Sequence, residues 1–69
     1  MSVAKVIELV GQSDVSWDDA ARNAVSRAGQ TVDDISGIEV LNFTARVEEG
    51  EIRDYKVDVK LIFGVKDED

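Results

Sequence analysis

The chain has 69 residues, a net charge of −7 from 15 acidic and 8 basic residues, and neither cysteine nor histidine. This length predicts one domain over residues 1–69, near the lower size limit for a self-sufficient core, and the missing cysteines exclude disulfides and thiolate zinc sites. Self-association is therefore expected, an oxygen-ligated hard cation is a lesser possibility, and the acidic balance argues against nucleic acid or anionic membranes as partners.

The first predicted element is a strand over Val3–Val10 that carries apolar residues on both sides of its alternation. Ile7 and Leu9 fall on one side, and Val6 falls on the other. A strand with two partly apolar faces is expected to be covered on both, either by another layer or by a partner chain. Residues 11–14 then break the pattern and predict a connection.

A helix is predicted to begin after Ser16, which can cap it, with Asp19 at the third helical position. Its apolar stripe is mostly alanine, so it lies close to a sheet but buries little area. We interpret Trp17 as part of this stripe rather than as a ligand-stacking residue. Gly29 is predicted to end the helix. The stripe consists of Trp17, Ala20, Ala21, Ala24, Val25 and Ala28.

Residues 31–37 predict a turn, in which Asp33 and Asp34 are interpreted as solvated rather than as cation ligands because the calcium-loop spacing is absent. The second strand is predicted to begin at Ile38. One of its predicted faces carries Glu39, Leu41, Phe43, Ala45 and Val47. The other predicted face carries Ile38, Val40, Asn42, Thr44 and Arg46.

The last strand, Ile52–Val65, has the clearest period of two and predicts the centre of the fold. A short glycine-containing link, Glu48–Glu51, joins it to the second strand and predicts an antiparallel hairpin with solvated glutamates. The charged tail after Val65 is predicted to fray. The apolar side of the last strand carries Tyr55, Val57, Val59, Leu61, Phe63 and Val65.

These elements predict an α+β fold of β-α-β-β order, in which a three-stranded antiparallel sheet wraps around one helix. One helix covers only one face of a sheet, so another copy of the chain is expected to cover the second. The apolar residues assigned to that second face are Val6, Val10, Ile38, Val40 and Ile62.

No catalytic machinery is evident in the sequence. Without histidine or cysteine the usual nucleophile–base pairs cannot be built, no spacing singles out a serine–lysine pair or a carboxylate dyad, and there is no glycine-rich phosphate loop. We therefore expect a protein that is not an enzyme. The absence of an apolar run of signal or membrane-spanning length predicts a cytoplasmic location.

Residues spread along nearly the whole chain resemble the dodecin family. The resemblance implies the same β-α-β-β fold and twelve copies assembled into a hollow shell, which agrees with the sheet face left open above. The matching residues are the run from Lys5 to Ser13, then Arg27, Ala28, Thr31, Glu39, Val40, Tyr55, Val57, Lys60 and Phe63.

The resemblance also implies a flavin, riboflavin, FMN or FAD, bound in pairs at two-fold contacts between copies. In the family a tryptophan early in the second strand stacks on the ring and a glutamine early in the third strand hydrogen-bonds its edge. Here Gly37 and Lys56 stand at those places, and both interactions are lost. The neighbouring Ile38 or an Arg46 that reaches a phosphate are alternative sources of affinity.

Two functions remain open at this stage: a flavin-storing shell, and a flavin-poor assembly of the kind described as calcium-associated, which binds cations or another small ligand. The family site, transferred residue by residue, comprises Ser36, Gly37, Ile38, Thr44, Arg46 and Lys56.

Overall fold

The computed structural model describes residues 3–65 as one antiparallel sheet with a single helix packed on it. The central strand of the sheet is the last one in the chain, and the strand order is β1-β3-β2. The predicted β-α-β-β order is confirmed, and the predicted frayed tail lies outside the described residues. The elements are β1, Val3–Ser13; α1, Trp17–Ala28; β2, Ile35–Glu48; and β3, Glu51–Val65.

Strand β1 is longer than predicted because the residues taken for a connection stay paired. Gly11 lies opposite Val57, and β1 continues to Ser13. Gly11 is buried directly under the helix, where a Cβ atom would lie 2.1 Å from the carbonyl oxygen of Ala20. The glycine that resembles a strand break in the sequence is therefore the point of closest approach between helix and sheet.

Helix α1 begins and ends where the sequence predicts. Ser16 is the N-cap, and its hydroxyl accepts a hydrogen bond from the backbone N–H of Asp19 at 2.9 Å. The Asp19 carboxylate accepts a hydrogen bond from the Ser13 hydroxyl at 2.6 Å, which ties the helix start to the end of β1. Gly29 is the C-cap.

The core lies between the alanine stripe of α1 and one face of the sheet, which we call the helix face. Its fully buried side chains are small, and Ile7, Leu9, Trp17, Val25 and others pack around them. The predicted alanine stripe is thereby confirmed. The buried residues are Ala20, Ala24, Ala28, Val57, Val59 and Leu61.

The period of two places Phe63 on the apolar side of β3 and so predicts a core residue, but Phe63 is only half-buried and this prediction is wrong. The helix has 12 residues and is about 18 Å long, which covers only about five residues of a strand. It starts beside Tyr55, which lies opposite Ser13 at the end of β1, and so ends before reaching Phe63.

Strand β2 departs most from its prediction, because bulges change which residues share a face. It begins at Ile35, opposite Phe63, rather than at Ile38. Register shifts between Ile35 and Gly37 and between Val40 and Asn42 each insert one extra residue in β2, and a third shift, between Thr44 and Arg46, inserts one in β3. Ile38, Val40 and Phe43 lie opposite Leu61, Val59 and Val57. Cross-strand partners share a face, so all three belong to the helix face, and the assignment of Ile38 and Val40 to the second face is wrong.

The β2–β3 hairpin extends beyond the part of the sheet that the helix covers. Its turn residues Glu49 and Gly50 have φ angles of 53° and 79°, the pattern of a two-residue type I′ turn. Val47 and Ile52, paired near the tip, are 68% and 50% exposed. In the described part of the chain, no helix has the length and hydropathy needed to cross a membrane.

Candidate functional site

The sheet face opposite the helix is uncovered, and we call it the open face. On β3 it carries Lys56, Asp58, Lys60 and Ile62, whose partners on β1 are Gln12, Val10, Glu8 and Val6 and on β2 are Thr44, Asn42, Glu39 and Gly37. Val6 and Val10 are 52% and 53% exposed. The face is therefore a charged strip with exposed apolar side chains, Val6 and Val10, on its β1 side, a composition suited to contact with another macromolecule or copy.

The six residues transferred from the family do not form one cluster in a single protomer. Gly37, Thr44 and Lys56 lie on the open face, whereas Ile38 lies on the helix face. Ser36 is the extra residue of a bulge, and its hydroxyl donates to the carbonyl oxygen of Ile62 at 3.3 Å. Six strand positions separate Lys56 from Ile62, the partner of Gly37, which corresponds to about 20 Å. One flavin ring does not span both positions within one chain.

Thr44, Arg46 and Lys56 do line one surface cavity, of about 260 Å³, together with Ala45 and Asp54. The Arg46 guanidinium is already paired there, with the Asp54 carboxylate at 2.6 Å and with Glu48 at 3.8 Å. A phosphate that bound Arg46 would compete with Asp54 for the same guanidinium.

The glutamates of the hairpin are paired or solvated. Arg53 contacts Glu48 at 3.7 Å and Glu51 at 3.0 Å, and the side chains of those glutamates are 53% and 72% exposed. This arrangement agrees with their interpretation as solvated. Among residues 3–64, no group of three or more acidic side chains is arranged to hold a metal ion.

All four aromatic side chains lie on the helix face. Phe43, Tyr55 and Phe63 lie opposite helix-face residues, and the Trp17 ring packs edge-on against Tyr55 and Phe43 with centroid distances of 4.9 and 6.1 Å. The indole N–H of Trp17 donates to the Thr44 carbonyl at 2.8 Å. The open face therefore has no ring on which a flavin can stack.

Gly37 leaves space for a larger side chain. A Cβ atom at this position would meet only Ile62, at 3.6 and 3.9 Å, which are ordinary contacts. The glycine is therefore not required by close packing at this position.

A pair of acidic side chains on the open face was not recognised from the sequence. Glu8 on β1 and Asp58 on β3 belong to adjacent rows of the sheet. A hydrogen bond to Asp58 and its negative charge, together with desolvation, raise the pKa of Glu8, and Lys60 partly opposes the increase. Only the pairing register brings the two residues together, so neither strand alone signals the contact.

A second apolar feature lies on the other side of the sheet, between α1 and β2. It is a cavity of about 330 Å³ lined by Ala21, Arg22, Val25, Ser26 and Ile38. It exists because the helix packs on β1 and β3 and leaves β2 largely uncovered, so Val40 and Phe43 are 41% and 59% exposed.

The architecture defines the class of the protein: a small α+β unit with one helix, a bulged long hairpin and an open sheet face. The dodecin family model matches residues 3–66. Calcium dodecin of Mycobacterium tuberculosis is 36% identical over 66 residues, covering 96% of this chain and 93% of the relative. The chain belongs to the dodecin family.

Solved structures agree with this assignment. Dodecin from Streptomyces coelicolor is 34% identical, with a TM-score of 0.89 over 97% of this chain and 96% of that one. The calcium-chelating antigen calcium dodecin from Mycobacterium tuberculosis, described as having a novel calcium-binding site, is 37% identical, with a TM-score of 0.78 over 93% and 91% of the two chains.

Proposed function

We propose that this protein is a non-enzymatic, small-ligand-binding dodecin of the flavin-poor, calcium-associated kind. The observation that carries the proposal is the absence of an aromatic side chain on the open face, where Gly37 and Lys56 replace the stacking and hydrogen-bonding residues of flavin-binding relatives. The similarity to calcium dodecin supports the same conclusion.

The binding unit in this proposal is a homododecamer. Gly37 and Lys56 share the open face but lie far apart along it, so a ligand that contacts both positions needs residues from two copies. The exposed Val6 and Val10 and the size of the chain also favour association. Light scattering should give about twelve times the 7.6 kDa chain mass; a folded monomer at micromolar concentration would contradict the proposal.

The cation in this proposal is held by more than one copy. A net charge of −7 favours cation binding, but the described part of one protomer contains no three-acid metal cluster. Calorimetric titration of the assembled protein with CaCl₂, with MgCl₂ as the comparison, tests this point. Saturable calcium binding with a stoichiometry set by the assembly is expected. Injections of CaCl₂ that release no more heat than their dilution into buffer would refute the proposed calcium site.

The loss of flavin binding has its own test, by quenching of riboflavin and FMN fluorescence. The wild type and the control Gly37→Ala/Lys56→Gln should bind flavin weakly. Gly37→Trp/Lys56→Gln should bind it more tightly, because this variant regains a tryptophan that stacks on the flavin ring and a glutamine that hydrogen-bonds its edge. Stacking and one hydrogen bond together contribute about 2 kcal/mol, or roughly a 30-fold change in Kd. Submicromolar binding by the wild type would contradict the proposed loss.

A further inference from the structure

Two carboxyl-bearing residues lie in adjacent rows at the centre of the open face. In one row Lys60 lies between Glu8 and Glu39; in the next, Asp58 lies between Val10 and Asn42. Glu8 is thus diagonal to Asp58, a spacing that long side chains bridge. The closeness of these two carboxyl-bearing positions is therefore a product of the β1–β3 register.

One oxygen of the Asp58 carboxylate lacks a hydrogen-bond donor. This atom, Oδ1, is shielded from solvent and has no hydrogen-bond partner. None of the ion pairs among the described residues includes Asp58 or Glu8. An acceptor that is removed from water without a donor destabilises the folded state. Two ionised carboxylates in contact cannot relieve this deficit, because both only accept.

We propose that Glu8 binds a proton that it donates to the unpartnered Asp58 oxygen, and that this proton couples the stability of the sheet to pH. A protonated Glu8 becomes an O–H donor and supplies the partner that the buried Asp58 oxygen lacks. The same proton removes the repulsion between the two carboxylates. The pair then acts as a proton-binding site on the face that another copy is proposed to cover.

The charged and titratable groups around the pair come from all three strands. Lys60 and Lys56 flank Asp58 on β3, and Glu39 faces Lys60 from β2. Helix α1 contributes no group, because it lies on the opposite face of the sheet. Lys60 favours the ionised form of Glu8, while Asp58 favours the protonated form and has the larger effect, so the pKa of Glu8 is raised above its ordinary value of 4.5.

The direction in which stability changes with pH follows from the raised pKa of Glu8. A carboxyl group with a raised pKa in the folded state binds its proton more tightly there than in the unfolded chain. Its stabilising contribution is complete below about pH 4.5 and is lost as the pH rises through the pKa of Glu8 in the folded protein. Within this window the unfolding equilibrium constant increases by up to tenfold per pH unit for one proton.

Urea unfolding of the assembled protein from pH 4.5 to 8, at fixed protein concentration, tests the proposal. The variants are Glu8→Gln and the matched control Glu39→Gln, which removes the same charge on the other side of Lys60. The side-chain amide introduced by Glu8→Gln donates to Asp58 at every pH. The unfolding constant of Glu8→Gln should therefore rise less with pH than that of the wild type, by up to tenfold per unit, while Glu39→Gln parallels the wild type.

A second variant guards against a folding defect in the first. Asp58→Asn leaves Glu8 with an amide donor and without the opposing charge, so potentiometric titration of the folded protein should show fewer protons bound per chain above pH 4.5 than in the wild type. Equal pH profiles for Glu8→Gln and Glu39→Gln, or equal proton uptake by Asp58→Asn and wild type, would overturn the proposal.

Discussion

Substitution of Gly11 by alanine tests the closest contact between helix and sheet. The new Cβ would lie 2.1 Å from the Ala20 carbonyl oxygen and 3.0 Å from the Ala24 Cβ. The atom that it meets belongs to the helix backbone, so no rotamer change relieves the clash. The helix must move outward by about 1 Å to restore ordinary van der Waals contact.

This displacement affects the whole core, because the alanine stripe supplies half of the buried residues. Overpacking of a close-packed interior costs about 1–3 kcal/mol and occasionally more. For Gly11→Ala we expect about 3 kcal/mol, since the contact is with backbone and a rigid helix must shift. That is a large fraction of the roughly 5–15 kcal/mol that stabilises a small domain, and it corresponds to a decrease in Tm of more than about 10 °C.

Gly64→Ala is the matched control. A Cβ at Gly64 meets nothing within 4 Å. This substitution should therefore be neutral, or stabilise the protein by up to about 1 kcal/mol because alanine lowers the conformational entropy of the unfolded chain. Urea unfolding followed by circular dichroism compares the two variants at one protein concentration, so that the proposed association affects both equally. Equal stability of Gly11→Ala and Gly64→Ala would refute the inferred packing.

Three further substitutions test the core, the link between helix and β2, and the helix cap. Leu61→Ala should cost about 2–5 kcal/mol and Phe63→Ala clearly less, because Leu61 is fully buried and Phe63 is not; the reverse order in thermal unfolding would contradict the described extent of the helix. Trp17→Phe keeps an aromatic ring but removes the indole N–H that donates to the Thr44 carbonyl. The free energy of unfolding in urea should therefore fall by about 1 kcal/mol, and an unchanged midpoint would show that water replaces the indole donor. Ser16→Ala should cost about 1 kcal/mol through the lost cap, with Ser16→Thr, which retains a capping hydroxyl, as the control that should remain near wild type.

The regular elements were predictable from the sequence because their patterns are local. The period-two run of β3 and the cap and stripe of α1 depend only on neighbours along the chain, and both predictions are confirmed. Phe63 fits the same period, yet its burial depends on where a helix distant in sequence ends. Alternation identifies a face; it does not reveal how much of that face is covered.

Strand β2 shows why the candidate site could not be predicted in full. The extra residue at Leu41 places Val40 and Phe43 on one face, although their spacing in the sequence predicts opposite faces. The Glu8–Asp58 contact likewise exists only through the register of two strands separated by the helix. The family resemblance supplied the positions of Gly37 and Lys56, but the register was needed to show that they share a face and lie far apart on it.

The division of chemistry between the two faces limits what this dodecin can bind. Trp17, Phe43 and Tyr55 hold the helix and the hairpin base together, so these three rings are committed to folding. The open face retains charge and hydrogen-bonding groups, arranged as Lys60 between Glu8 and Glu39. A planar apolar ring gains little from such a surface, whereas a cation or a second copy with complementary charges gains electrostatic and hydrogen-bond energy. Under the proposed function, ligand selection in this chain therefore depends on the charged rows of β3 rather than on stacking.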